Sequence, residues 1–60
     1  MVTIGQVYAW VYDDNYRGEL YLVTALLNKH ECQLLRLTDG HWYEHYWHSN
    51  FDNDAWKRIA

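Results

Sequence analysis

Sixty residues, half of them hydrophobic, with a formal net charge of −3 and a single cysteine, define one domain over 1–60 with no room for a second. Cys32 stands alone, which excludes an intramolecular disulfide, and eight acids against five bases disfavour duplex nucleic-acid binding, which leans on a basic surface. A chain this short buries only about 60% of its unfolded surface, so it needs a metal, a partner chain or an unusually good core.

Four Trp, six Tyr and one Phe supply that core, each buried ring removing about 150–250 Å² from water. They are also more rings than so small an interior readily shelters, and surplus apolar surface marks an interface. The expectation is therefore a homodimer or a heteromeric partner, with the dimer favoured. No apolar run approaches the roughly 20 residues that span a bilayer. Residues 1–5 carry neither a basic region nor a long apolar stretch, and a lone cysteine suits a reducing compartment. The expected setting is cytoplasmic, without membrane contact.

Residues 6–12 (QVYAWVY) alternate Val7, Ala9 and Val11 with Tyr8, Trp10 and Tyr12, which predicts a strand with one aliphatic and one aromatic face. Residues 13–18 (DDNYRG) are turn formers ending in Gly18 and predict a long hairpin loop. Residues 19–27 (ELYLVTALL) predict a second strand, with Leu20, Leu22, Thr24 and Leu26 opposite Tyr21, Val23, Ala25 and Leu27. A turn at 28–31 precedes a third strand over 32–37. Asp39-Gly40 is the strongest hairpin signal in the chain, and a fourth strand follows from His41 to about His48. Residues 49–53 read as a polar loop. The last segment is compatible with one helical turn capped by Asp54 or with a fifth edge strand over 55–59. The fold class is mainly β: a small antiparallel meander or SH3-like barrel with a short C-terminal turn or edge strand.

Gly5-Gln6-Val7-Tyr8, Leu20-Tyr21-Leu22-Val23, Asp39-Gly40 and the closing Trp56-Lys57-Arg58-Ile59 together resemble very small SH3-like β-barrel proteins of bacteria and their phages. The resemblance spans most of the chain. It implies the barrel fold and, by analogy, a tiny acidic protein with which a phage or mobile element blocks a host enzyme, such as a bacterial defence protein.

The polar residues give little chemistry. His41, His45 and His48 have the i, i+4, i+7 spacing that on a helix would gather three imidazoles for a divalent ion. On a strand His41 and His45 lie about 13 Å apart and His48 points the other way, so no metal or other cofactor is expected. His30 and Cys32 lack the orienting group and oxyanion hole of a nucleophilic pair. Asp13, Asn15 and Gly18 outline a calcium loop, but its twelfth position is Thr24 where a bidentate Glu is required. Asp13-Asp14 and the Asp52/Asp54 pair fall in loops, where carboxylates are solvated or capping. No catalytic motif is present, and the chain is read as a non-enzyme.

The aromatic strips carry the functional expectation. Rings fill cores first, yet the strip turned away from an aliphatic core would form a dimer seam or a partner surface, since Trp and Tyr dominate interface hot spots. The expected partner-binding residues are Trp10, Tyr12, Trp42, Tyr43, Tyr46 and Trp47 as anchors, with Asp13, Asp14 and Glu44 for polar specificity. Docking on a bacterial target protein would inhibit it by steric occlusion. The alternative is a single-stranded nucleic-acid-binding module that stacks bases on the same rings and uses Arg17, Arg36, Lys57 and Arg58. A purely structural, self-assembling subunit is the third possibility.

Overall fold

Alternating β-branched and aromatic side chains set the strands, and glycines set two of the corners between them. The computed structural model describes residues 1–12 and 18–60. Its strands are β1 (Val7–Trp10), β2 (Glu19–Leu26), β3 (Glu31–Arg36), β4 (Trp42–Trp47) and β5 (Trp56–Arg58). They form one antiparallel sheet in the order β4-β3-β2-β1-β5. The first four strands are a meander, and the chain then returns to lay β5 beside β1. The mainly β expectation holds, and of the two forms open to residues 54–60 the molecule adopts the edge strand.

The corners follow from local chemistry. Gly18 and Gly40 adopt φ of +85° and +74°, the left-handed region that a Cβ disfavours. The Gly18 amide donates to the Trp10 carbonyl at 2.8 Å and closes the first hairpin. At the second corner the Asn28 carboxamide oxygen accepts from the amides of His30 (2.8 Å) and Glu31 (2.9 Å). At the third, Asp39 accepts from the His41 amide at 3.1 Å, as an Asp in a tight turn does. The loop expected over 49–53 and the strand end expected at His48 give way to a 3₁₀ helix, His48–Asp52. It sets Phe51 against the ring of Tyr8, with centroids 4.0 Å apart.

Which face turns inward is the main departure from the sequence expectation. The interior is the ring-bearing face. Tyr8, Tyr21, Val23, Cys32 and Leu34 are buried there with Val2, and Trp10, Tyr43, Tyr46, Phe51 and Trp56 pack against them. Val7, Leu22 and Leu35 lie half-buried on the opposite face, with Leu20, Leu37 and Trp42 exposed. Small and aliphatic residues at Val23, Cys32 and Leu34, all at 0% exposure, make a floor on which flat rings can lie. Gln6 helps hold the N-terminus over that interior. Its side-chain oxygen accepts from the Thr3 amide (2.9 Å) and the Tyr8 hydroxyl (3.0 Å), and its nitrogen donates to the Met1 carbonyl at 3.2 Å.

Two β-bulges break the expected strict alternation. Val23 pairs with Leu34 but Ala25 with Gln33, so Thr24 is extra; in β4, Glu44 and His45 together face Gln33. Each bulge reverses the parity beyond it. Leu26 therefore crosses to the side of Cys32, its partner, and Tyr43 and Tyr46 share one face, opposite Leu34 and Cys32. Bulges also sharpen bending. A flat five-stranded sheet would hold its outer strands about 19 Å apart, yet Tyr46 on β4 and Trp56 on β5 have ring centroids 5.8 Å apart. The sheet is rolled, and rings close its open seam.

Candidate functional site

The rolled sheet leaves a cleft of about 370 Å³ along that seam, lined by Trp10, Tyr21, Leu34, Arg36, Tyr43, Tyr46 and Trp56. The hub of its walls is Trp56, fixed by the pairing of β5 with β1. Its ring meets those of Trp10 at 5.0 Å, Tyr21 at 4.9 Å and Phe51 at 5.1 Å, with interplanar angles of 71°, 81° and 63°. This edge-to-face geometry is the one aromatic quadrupoles favour. Tyr21 and Tyr43 follow at 5.8 Å, and Tyr43 and Tyr46 at 6.3 Å. Beyond Trp10 lies a second hollow of about 310 Å³, bounded by Trp10, Tyr12, Asn53, Asp54 and Ala55.

Among the described residues, Arg36 is the one charged residue in the wall of the larger cleft. Its guanidinium grips Asp39 with Nε at 2.9 Å and Nη2 at 2.6 Å, and Nη1 donates to the Tyr43 hydroxyl at 3.2 Å. The fork is therefore held flat against the cleft wall, and its charge is largely met by its own neighbour. The same contact shifts both partners. Hydrogen bonding to Asp39 raises Arg36 above its usual range, while Arg36, with help from the His41 amide, holds the Asp39 carboxyl down to about 2. Burial pushes the phenols of Tyr21 and Tyr46 up, so both stay neutral hydroxyls at physiological pH. The cleft offers ring faces, hydroxyls and one occupied guanidinium: a contact surface for an apolar or planar group.

A pH dependence follows. A carboxyl with a depressed folded-state pKa contributes stability that is present above its ordinary value of 3.8 and lost as pH falls through its folded value. The thermal midpoint is expected to drop as pH is lowered from about 4 towards about 2. Asp39→Asn is expected to lower the midpoint at neutral pH and flatten that acid limb. An unchanged acid limb in the variant would assign the acid sensitivity to other groups.

The residues singled out from sequence divide between places. Trp10, Tyr43 and Tyr46 converge on the cleft, and Tyr12, 77% exposed, borders the adjoining hollow. Trp42 and Trp47 do not join them. They pair with Leu35 and Glu31 on the outer face and are 53% and 54% exposed. Glu44 is exposed in the β4 bulge. Asp13, Asp14 and Arg17 lie outside the described residues. Sequence reasoning missed Tyr21, Arg36 and Trp56 as cleft residues. Only the β1–β5 pairing, which no local pattern encodes, brings Trp56 to Tyr21.

Among the described residues, no group of three His, Cys, Asp or Glu could hold a metal ion. His45 Nδ1 lies 3.2 Å from Glu31 Oε2, and His48 belongs to the 3₁₀ helix, so the three histidines are not gathered. Among the described residues no helix is long and apolar enough to cross a membrane. No family model, curated protein or solved structure matches this chain.

Proposed function

We propose that this chain is a non-catalytic protein-binding module whose aromatic cleft receives an apolar or aromatic side chain of a partner protein. The observation that carries the reading is the open cleft walled by Trp10, Tyr21, Tyr43, Tyr46 and Trp56. Ring-lined concavities are where binding energy concentrates, because a guest there is fully desolvated. The reading includes a cytoplasmic homodimer. Its finer form, a phage- or mobile-element-encoded inhibitor that blocks a bacterial defence protein by occlusion, rests on the resemblance to SH3-like phage proteins alone. Single-stranded nucleic acid draws less support, because the cations among the described residues do not line one path. Arg36 is taken up by Asp39, and successive residues Lys57 and Arg58 pair with Ala9 and Tyr8, which puts them on opposite faces of β5.

The test is affinity capture from bacterial lysate with wild type, Tyr43→Ala and Trp47→Ala, each checked by thermal melt for retention of fold. A protein partner is expected to be held by wild type and Trp47→Ala, lost with Tyr43→Ala, and only weakly affected by salt. Equal capture by Tyr43→Ala would remove the cleft from the reading. Binding to labelled single-stranded oligonucleotide with a steep salt slope would replace it with the nucleic-acid reading.

A further inference from the structure

The polar groups at one corner of the cleft are nearly all hydrogen-bond donors. Arg36 ends β3, Tyr43 lies in β4, and Asp39 sits in the turn between them, so a single hairpin builds the corner. Backbone bonds hold that hairpin, from the Arg36 amide to the His41 carbonyl at 2.9 Å and from the Gly40 amide to the Arg36 carbonyl at 2.8 Å. A guanidinium carries five N–H donors and no acceptor. Asp39 takes one at Nε and one at Nη2, and the Tyr43 hydroxyl oxygen takes one at Nη1. One N–H on each of Nη1 and Nη2 is left over. Tyr43 adds to the same side, because a phenol oxygen that accepts from Arg36 leaves its own hydrogen to donate elsewhere. The Asp39 carboxylate is already taken up by Nε, Nη2 and the His41 amide.

We infer that the polar anchor of the guest is a neutral carbonyl oxygen, the peptide carbonyl beside its apolar or aromatic side chain, received by the unspent N–H groups of Arg36 and the hydroxyl of Tyr43. This rests on the proposed reading of the cleft and adds the hydrogen-bonding sign of the guest to it. Place ties the two parts of the guest together. Arg36 and Tyr43 line the same 370 Å³ space as Trp10, Tyr46 and Trp56, so the carbonyl and the side chain of one residue reach donors and rings at once.

Charge selects a carbonyl over a carboxylate. Arg36 and Asp39 cancel each other, and the chain as a whole carries −3. An anionic guest would share the guanidinium with Asp39, and two carboxylates in one site repel. A carbonyl brings the acceptor without the charge. The corner is also set in advance. The Arg36 side chain is 19% exposed and its guanidinium carbon lies 6.0 Å from the centroid of the Tyr43 ring, so little freedom remains to be lost on binding. A guest with no acceptor would expel water from these donors and leave them unmatched, which is costly. That penalty turns hydrocarbon guests away.

Nuclear magnetic resonance of the ¹⁵N-labelled full chain tests this with three probes: N-acetyl-phenylalanine methylamide, its free acid N-acetyl-phenylalanine, and toluene. The Trp56 indole and Arg36 Nε resonances report binding. The methylamide should bind about tenfold or more tighter than toluene, the scale of a hydrogen bond to a charged group, and tighter than the free acid. Arg36→Met/Asp39→Asn removes the guanidinium together with the carboxylate that neutralises it, and is followed through the Trp56 indole. It should weaken the methylamide about tenfold or more and leave toluene within about twofold. Tyr43→Phe keeps the ring and should weaken the methylamide alone, and it decides if the double variant loses its native far-ultraviolet circular dichroism. Toluene binding as tightly as the methylamide, or a methylamide affinity unmoved by these variants, would overturn the inference and leave the cleft a purely apolar site. Tighter binding of the free acid would overturn it in favour of an anion. Silence from all three probes would overturn it together with the proposed reading of the cleft.

Discussion

Replacing Trp56 by alanine is expected to cost about 3 kcal/mol or more of stability, and in a 60-residue domain that is at least a third of what there is. Domains hold roughly 0.05–0.15 kcal/mol per residue, or about 3–9 kcal/mol for this chain. The expectation comes from position. Trp56 belongs to a strand of only three residues whose sheet contact is with β1 alone, and its ring reaches Tyr8, Trp10, Tyr21, Tyr46 and Phe51. Those contacts tie the two ends of the sheet order together. Without the indole the seam between β4 and β5 opens, and the cleft loses its hub. Chemical denaturation of wild type, Trp56→Ala and Trp56→Phe measures this. Trp56→Phe should retain a good part of the stability, since it keeps a ring in place. A Trp56→Ala variant with an unchanged denaturation midpoint would mean the sheet stays rolled without its aromatic closure.

Leu34→Ala is the second large effect, about 2–5 kcal/mol. Leu34 is the largest of the side chains at zero exposure, lies in central β3 between Val23 and Tyr43, and forms the floor of the cleft. Its loss leaves a cavity that the rings of the cleft cannot collapse into without giving up their own geometry. The outer-face residue Leu35, its chain neighbour, offers the contrast. Leu35→Ala removes a half-buried side chain from the outer face, over which no element among the described residues packs, and should cost well under half as much in dilute protein. Equal losses from the two substitutions would show that both faces are equally enclosed.

Much of the architecture was legible in the residues, and the reasons differ from place to place. Asp39-Gly40 announced its hairpin because a positive φ at glycine and a carboxylate accepting from the His41 amide are local chemistry. The alternation of Tyr8 and Trp10 with Val7 and Ala9 announced a two-faced strand. It did not announce which face turns in, because both are apolar and period two is blind to the choice. The decision lies in residues far apart in the chain. Val23, Cys32 and Leu34 give the rings a floor, and Phe51 and Trp56 cover them from the other side. The bulges at Thr24 and at Glu44-His45 were equally invisible, since an extra residue leaves no compositional trace. They decide that Tyr43 and Tyr46 enter the cleft together while Trp42 and Trp47 look outward. The candidate site was thus half legible: its residue types were plain, and its membership depended on register.

The rings form an inward wall while Leu20, Leu22, Leu35, Leu37, Trp42 and Trp47 face out. Acrylamide quenching of tryptophan fluorescence in dilute protein, with wild type beside a Trp42→Phe/Trp47→Phe double variant, tests this most directly. The wild type should show an accessible and a shielded population. The double variant should lose the accessible one, leaving blue-shifted emission from Trp10 and Trp56 that acrylamide quenches poorly. Residual emission as red-shifted and as readily quenched as that of the wild type would contradict the inward placement of the cleft.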